Sequence, residues 1–207
     1  MLKNYVLTAL RAISKRKGFT VLNVLGLSIG LASSLLILQY VKDEFSYDDF
    51  HDKHDRIYRV EFDAYRDSEL VFKCATAFPK VAPELKAEFP EVEDATRIYL
   101  RYGGGVVQYG EISMKEVNLF QAEQNFFSIF SYPVLSGTPK LDQPNTAVVE
   151  EKTARKYFGE EDPVGKRIRF GSNEEYEITA VMRSPENSHL KFSFLFSYPT
   201  LVTLWGE

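Results

Sequence analysis

The stretch GFTVLNVLGLSIGLASSLLILQYV, residues 18–41, contains no charged side chain. At about 1.5 Å of rise per residue, a helix of this length crosses a hydrocarbon core of roughly 30 Å. A buried helix in a soluble protein would need a core around roughly six turns, which the ordinary composition of the chain does not favour. A cleaved signal peptide has a shorter apolar region, of about 7–15 residues. The sequence therefore predicts an uncleaved transmembrane helix over residues 18–41.

The charges on the two sides of this helix are distributed unequally. The first 18 residues hold five basic side chains and no acidic one, whereas the remainder holds 20 basic against 29 acidic side chains. By the positive-inside rule, the N-terminus lies in the cytoplasm and residues 42–207 lie outside it, in the periplasm if the helix spans a Gram-negative inner membrane. The acidic balance of the large part argues against nucleic acid as its partner, because phosphate binding requires clustered basic charge. The basic residues available for lipid headgroups are Lys3, Arg11, Lys15, Arg16 and Lys17.

The N-terminal segment and the span each carry a helical pattern. Residues 1–17 place apolar side chains near one side of a helix, which predicts a short amphipathic helix on the inner leaflet. These apolar residues are Leu2, Val6, Ala9, Leu10 and Ile13. Within the span, Gly26, Gly30 and Ser34 recur every four residues, and small residues at this spacing let a second helix approach closely. A chance pattern is the alternative, because glycine is common in transmembrane helices.

Residues 45–60, FSYDDFHDKHDRIYRV, combine histidines and aspartates in the manner of a metal site. His51 and His54 are three residues apart, so a single helical turn could bring them together. A structural zinc site requires four defined ligands, however, and apolar side chains interrupt the acids here. The interrupting residues are Tyr47, Phe50 and Ile57. We interpret the segment as a structural connector without metal ligands, a short helix that packs onto the domain with its charges in water; an adventitious metal site is the alternative.

The remainder of the chain shows short strands and short helices, without the long alternation of strand and helix that is typical of a Rossmann-type sheet. Strands are predicted at 56–65, 68–75, 93–102, 106–122 as a strand pair, 145–151, 166–171 and 175–184, and helices at 79–89, within 125–135 and at 152–159. The predicted fold class is therefore α+β, with one N-terminal transmembrane helix followed by an extracytoplasmic mixed α/β domain.

No motif in the sequence indicates catalysis. GEEDPVGKR (159–167) has five residues between its glycines and arginine where a P-loop has its hydroxyl residue, so we interpret Asp162–Gly165 as a type I turn. YGGGV (102–106) is interpreted as a hairpin turn or bulge. His189 has no carboxylate or cysteine near it in sequence, and the single cysteine, Cys74, is interpreted as a buried structural thiol. We predict that the protein is not an enzyme and has no catalytic residue and no cofactor.

Six segments together carry a likeness to a known family. They are residues 1–38, residues 46–60 (SYDDFHDKHDRIYRV), residues 85–98 (LKAEFPEVEDATRI), residues 125–137 (NFFSIFSYPVLSG), residues 145–170 (NTAVVEEKTARKYFGEEDPVGKRIRF) and residues 176–197 (YEITAVMRSPENSHLKFSFLFS). These segments cover nearly the whole chain and closely resemble the permease subunits of MacB/FtsX-type ABC transporters, in the branch common in Bacteroidetes-type bacteria.

This resemblance implies a first membrane helix followed by a MacB-like periplasmic core domain over residues 42–207. In the family, a porter-like subdomain is interrupted by an inserted one, which places residues 56–102 in the porter-like part and residues 103–185 in the inserted subdomain. Family permeases continue beyond the point that corresponds to residue 207. We therefore expect a truncated chain, in which the C-terminal part of the core domain is incomplete.

The implied function is that of a permease-type subunit, itself non-catalytic, which transmits conformational change from a cytoplasmic ATPase to a periplasmic domain for export or extrusion of an unidentified substrate. The implied partners are a cytoplasmic ABC ATPase, a second permease copy or half, membrane lipid and, in some systems, a periplasmic adaptor. A function of another class stays open: a single-pass, membrane-anchored extracytoplasmic binding or sensor module, which would need neither an ATPase nor further helices.

Overall fold

The computed structural model describes residues 2–205, which divide into one unit that ends at Tyr47 and a second that begins at Asp48. The first unit consists of helices α1 (Leu2–Lys15) and α2 (Lys17–Phe45). The two helices are separated at Arg16, whose backbone leaves the helical conformation with φ −118° and ψ 60°. Among the described residues, α2 is the one helix long and apolar enough to cross a membrane. It includes all of the predicted span at residues 18–41.

The second unit contains short strands and helices in mixed order. Its strands are β1 (Phe62–Arg66), β2 (Glu69–Cys74), β3 (Ile98–Leu100), β4 (Gly105–Tyr109), β5 (Ile112–Glu116), β6 (Leu119–Ala122), β7 (Val134–Gly137), β8 (Thr146–Glu150), β9 (Arg167–Phe170), β10 (Glu174–Met182) and β11 (Phe194–Ser197). Its α-helices are α3 (Val81–Glu88), α4 (Phe126–Ile129), α5 (Glu151–Phe158) and α6 (Tyr198–Trp205). With the apolar helix before it, this mixed unit confirms the predicted α+β class.

The strands of the second unit form two sheets. β1 and β2 make a two-stranded antiparallel sheet, and the other nine strands form one mixed sheet in the order β3-β6-β11-β8-β10-β9-β4-β5, with β7 pairing with β10. Two neighbouring pairs, β8 with β10 and β6 with β11, are parallel, while the remaining pairs are antiparallel. β10 is nine residues long, so its first half pairs with β9 and its second half with β7.

The core lies on both faces of the large sheet. Along β8, Ala147 and Val149 belong to one buried cluster and Val148 to the other, because successive side chains of a strand point to opposite faces. β11 repeats this arrangement with Phe194 and Phe196 on the first side and Leu195 on the second. Helix α5 adds its buried apolar residues to the first cluster, and α4 contributes to the second. The central strands are therefore covered on both faces.

The boundaries of several predicted elements were wrong. The predicted strand at 56–65 begins only at Phe62, because the ladder with β2 ends at the pair of Phe62 and Cys74. The predicted strand at 93–102 is limited to β3, and the predicted pair at 106–122 is three strands. The predicted connector helix consists of turns with one 3-10 turn at His54–Arg56.

Two predicted turns also differ from the expectation. The N–H of Lys166 donates to the carbonyl of Pro163 at 3.0 Å, and Gly165 has φ +80°. The turn is therefore of type II at 163–166, where a central glycine with positive φ is required, rather than of type I at 162–165. The N–H of Gly104 donates to the carbonyl of Arg101 at 3.0 Å, so residues 101–104 do form a turn. It joins β3 to β4, which are not neighbours in the sheet, so it is not a hairpin turn.

We expect Gly104→Ala to destabilise the second unit far more than Gly110→Ala. Both glycines have positive φ, at +66° and +56°, so alanine costs about 1–2 kcal/mol of backbone strain at either position. A Cβ at Gly104 would also overlap the carbonyl oxygen of Glu116, whereas a Cβ at Gly110 would meet nothing within 4 Å. The expected total for Gly104→Ala is roughly 2–5 kcal/mol. Denaturant unfolding of the detergent-solubilised chain, followed by near-UV circular dichroism, measures both losses; equal losses would contradict the close packing at Gly104.

Candidate functional site

The basic residues predicted to meet lipid headgroups lie on and between the helices of the first unit. Arg11 and Lys15 lie on α1, Arg16 separates the helices, and Lys17 begins α2. All four are exposed in the structure. The side chain of Lys3 lies outside the described side chains. These four exposed charges are available to a membrane surface. Their contact with lipid remains a prediction.

The small-residue stripe lies along one side of α2. Gly26, Gly30 and Ser34 are exposed, and a Cβ placed on either glycine would meet nothing within 4 Å. The hydroxyl of Ser34 donates to the carbonyl of Gly30 at 2.9 Å, which satisfies this polar group within its own helix. The stripe is thus an open, smooth surface along the apolar helix. Its role in helix packing remains a prediction.

The second unit begins at Asp48, whose backbone is anchored to a distant loop. Asp48 adopts φ +61°, a left-handed conformation that aspartate tolerates better than most residues. Its N–H donates to the carbonyl of Asn187 at 2.9 Å. Its carboxylate accepts the N–H of His189 at 3.0 Å, and the Nδ1 of His189 lies 2.8 Å from the other carboxylate oxygen. His189, which has no partner nearby in sequence, therefore has a carboxylate partner 141 residues away.

His51 attaches the same segment to a second loop. It is only 3% exposed, in contrast to the prediction that the charges of this segment lie in water. The N–H of Ser131 donates to its Nδ1 at 3.0 Å, and the N–H of Asp52 donates to the hydroxyl of Ser131 at 3.1 Å. The rings of Phe130 and Tyr132 lie 5.2 and 5.3 Å from the imidazole. Aromatic packing explains why this histidine is withdrawn from solvent.

Burial controls the ionisation of the groups in this cluster. The pKa of His51 is lowered, mainly because burial disfavours the imidazolium, although Asp48 and Asp52 act in the opposite direction. Burial likewise raises the pKa of Tyr132 to about 12. The hydroxyl of Tyr132 donates to the carbonyl of Leu190 at 2.7 Å and lies 2.9 Å from the hydroxyl of Ser188. The two loops that hold the first segment of the second unit, residues 48–56, are therefore also joined to each other.

The other charges of the segment do lie at the surface. His54 is half exposed, 3.8 Å from an oxygen of Asp49. Lys53 and Arg56 both contact the exposed carboxylate of Glu93, at 2.9 and 3.3 Å. Exposed pairs of this kind contribute little to stability. The prediction of charges in water thus describes these residues, and it was wrong only for the buried histidine.

The region between α3 and β3 is fixed by a further carboxylate that the sequence did not single out. One oxygen of Asp94 accepts hydrogen bonds from Lys86 at 2.7 Å and from the side chain of Asn125 at 3.1 Å. Partial burial raises the pKa of Asp94, but these hydrogen bonds outweigh it and the net pKa is lowered. The carboxylate therefore joins the chain before β3 to both α3 and α4.

The candidate chemistry considered from the sequence is not assembled in the part of the chain that the structure describes. Within residues 2–205, no three His, Cys, Asp or Glu side chains are grouped as a metal ion would require. Cys74 is a free thiol, half buried rather than fully buried as predicted, with its Sγ 3.0 Å from the hydroxyl of Thr76. The segment after the apolar helix is instead attached to the rest of the second unit. It forms hydrogen bonds with two loops that are far away in sequence.

Comparison with protein families shows that residues 20–205 match the MacB-like periplasmic core domain. Among solved structures, the chain is similar to the periplasmic region of MacB from Actinobacillus actinomycetemcomitans, with 17% identity over 61% of this chain and 57% of that chain and a TM-score of 0.49. It is also similar to a domain assigned to a permease protein of Porphyromonas gingivalis, with 30% identity over 57% of this chain and 56% of that chain and a TM-score of 0.49.

A third similar structure is the extracellular domain of the noncanonic ABC-type transporter YknZ from Gram-positive bacteria, with 17% identity over 54% of this chain and 57% of that chain and a TM-score of 0.42. The match therefore spans little more than half the length of each of these three structures. A comparison with curated proteins finds no match.

We expect Asp48→Ala to lower the free energy of unfolding of the second unit by about 1–3 kcal/mol, because the carboxylate accepts hydrogen bonds from His189. Asp49→Ala removes an exposed neighbouring carboxylate and should cost less than about 0.5 kcal/mol. Denaturant unfolding of the two variants in detergent compares them directly. Equal stabilities would show that the contact between Asp48 and His189 contributes nothing to the attachment.

Proposed function

Since the chain belongs to the MacB-like periplasmic core domain family of ABC transporter permeases, we propose that it is a permease-type subunit that transmits conformational change from a cytoplasmic ATPase to a periplasmic domain. The observation that carries this proposal is the extent of the family match, which begins within α2 and continues to residue 205. The match thus joins an apolar helix and the folded unit in one polypeptide. The work performed is export or extrusion of a substrate that the chain does not identify.

The attachment of the first segment supports a role in transmission. Two residues, Ser46 and Tyr47, lie in the chain between the end of α2 and Asp48. Asp48 is bonded to the loop at residues 187–189, and His51 to the loop at residues 130–132. Both loops lead directly into the buried core at Phe192 and Tyr132. A displacement received at Asp48 would therefore reach the body of the second unit through these hydrogen bonds.

The division of the domain follows from the same family relationship. We assign residues 56–102 to a porter-like part and residues 103–185 to an inserted subdomain. The separate β1–β2 sheet supports this assignment, because an isolated two-stranded sheet is marginally stable in water. Most of its apolar side chains are exposed. These side chains are Phe62, Tyr65, Leu70, Val71 and Phe72. The large sheet also includes β3 and β11, which lie outside residues 103–185.

The proposed location is the cell inner membrane, with the N-terminus in the cytoplasm and the second unit in the periplasm. The basic residues before the span and the acidic residues after it support this orientation. In this arrangement α1 lies on the cytoplasmic leaflet, where its basic side chains meet lipid headgroups and where a cytoplasmic ABC ATPase would engage. The other proposed partners are a second permease copy or half and a periplasmic adaptor.

We predict that alkaline phosphatase fused after residue 207 is active in cells, because this enzyme requires disulfides that form outside the reducing cytoplasm. The same enzyme fused after Lys17, before the span, should be inactive. Phosphatase activity per amount of fusion protein measures both. An inactive C-terminal fusion together with an active N-terminal one would overturn the proposed orientation.

We predict that Gly30→Ile weakens association of the apolar helix with its partner helices. Small residues let backbones pack closely where lipid provides no hydrophobic drive, and a branched side chain at the crossing point prevents that approach. The expected loss is about 1–2 kcal/mol, while membrane insertion is retained because isoleucine is favourable there. Ala32→Ile is the matched control, because residue 32 lies about 200° around the helix from residue 30.

A membrane two-hybrid assay or cross-linking measures this association for the span, alone and with the family's later membrane helices supplied in trans. If Gly30→Ile associates as well as the parent in both settings, the stripe is only a feature of composition. The helix would then be a plain anchor, which favours the single-pass binding or sensor module.

A further inference from the structure

The chain has three histidines, and each lies beside an aspartate of the first segment of the second unit. His189 is 2.8 Å from Asp48, His51 is 4.0 Å from the same carboxylate, and His54 is 3.8 Å from Asp49. His51 and His189 come from opposite parts of the sequence and meet Asp48 directly after the end of the apolar helix. Histidine is the side chain whose charge ordinarily changes between pH 5 and 8.

The hydrogen bond to His51 fixes which of its nitrogens carries a proton. The backbone N–H of Ser131 donates to Nδ1 at 3.0 Å, so Nδ1 is the acceptor and the neutral ring carries its proton on Nε2. A second proton would have to enter at Nδ1. It would place an N–H donor against the N–H donor of Ser131, and the hydrogen bond would be lost. The same proton would create a charge on a residue that is 3% exposed and whose ring centre lies 3.9 Å from that of Phe50 and 5.2 Å from that of Phe130.

We propose that His51 is a proton-sensitive latch, which holds the segment 48–56 on the loop at residues 130–132 when neutral and releases it when protonated. Release breaks the bond to Ser131 and takes with it the neighbouring bond from the N–H of Asp52 to the Ser131 hydroxyl. Asp48 would then remain bound through the loop that contains His189. The segment is therefore hydrogen-bonded to both loops when His51 is neutral and to only one of the two loops when it is charged.

Charged and titratable groups act on His51 from three elements. On its own segment, Asp48, Asp52 and His54 act on it, the two acids favouring the imidazolium and the histidine opposing it. From the loop at residues 130–132 it faces Tyr132, whose raised pKa of about 12 keeps it neutral throughout the relevant range. From the third element, His189 occupies the carboxylate of Asp48 at 2.8 Å, closer than the 4.0 Å that separates this carboxylate from His51.

Burial is the largest of these influences, and the pKa of His51 in the folded protein lies below its usual value of 6.5. The released state, in which the ring is in water, binds the proton more readily. The stabilisation from the latch is therefore fully present above pH 6.5 and is lost as the pH falls through the lowered pKa of the folded state. If the second unit lies outside the cytoplasm, as the proposed function requires, acidification outside the cell would loosen the attachment through which movement is transmitted.

Hydrogen exchange of the full chain in lipid nanodiscs, read by mass spectrometry at pH 7.5 and pH 5.5, tests the latch. After correction for intrinsic exchange, protection of peptides covering residues 48–56 and 129–133 should fall at the lower pH, by at most about tenfold, which is the limit for one proton with a pKa near 6.5 in the released state. Protection of residues 146–150 in β8 should not change. His51→Asn retains an acceptor at the position of Nδ1 without titrating, so the fall should disappear. His54→Asn removes the exposed histidine and should leave the fall intact.

The latch is overturned if protection in the unmodified chain is independent of pH, if β8 loses protection in parallel, or if His51→Asn still shows the fall. It is also overturned if His54→Asn abolishes the fall. Should His51→Asn not fold, His51→Gln provides a second non-titrating acceptor, and the unmodified chain decides by itself whether the pH dependence exists. The measurement involves neither ATPase nor substrate, so its failure would leave the proposed transport function standing, and an inverted membrane orientation would leave the latch standing.

Discussion

The second unit depends on the burial of β8 and β11 on both of their faces. Val148 and Leu195 point to one side of the sheet, and Val149 and Phe194 to the other, and all four are fully buried. Burying a side chain of this size stabilises the fold by roughly 1.5–3 kcal/mol. Because both faces of these strands must be covered, helices and loops are required on each side of the sheet. The positions of α4, α5 and the loops that bind the first segment all follow from that requirement.

The sheet also has to curl, and charged side chains at its edge hold it in that shape. Arg101 follows the edge strand β3, yet its guanidinium donates two hydrogen bonds to Glu174 of β10, at 3.2 and 2.9 Å. It lies 4.5 Å from the ring centre of Phe170 in β9. In the order of the sheet, β3 is separated from β9 and β10 by several strands, so only a strongly curled sheet brings these groups together. A bidentate arginine–carboxylate pair fixes the relative orientation of its two groups, which apolar packing alone does not do.

Polar contacts of the same directional kind attach the segment that follows the apolar helix. Asp48 and His51 bond to loops 141 and 80 residues away, and those loops are themselves joined where Tyr132 meets Ser188 and Leu190. Apolar packing would hold this segment equally at any pH. A buried histidine that accepts a hydrogen bond does not, since a proton both removes the acceptor and adds a charge. The hydrogen bond that orients the segment at His51 therefore also makes this attachment sensitive to acid.

The sequence by itself determined the apolar helix, the α+β class and the family, because these depend on local composition, periodicity and long motifs. It located α3 and α5 within a residue or two, and β10 as well, since their patterns repeat along the chain. It did not predict β11, whose four residues are buried on both faces and show no alternation. It also did not find a partner for His189 or the burial of His51. Those features were decided only by the tertiary structure, because they arise where loops distant in sequence meet, and no local pattern records which loops the curled sheet brings together.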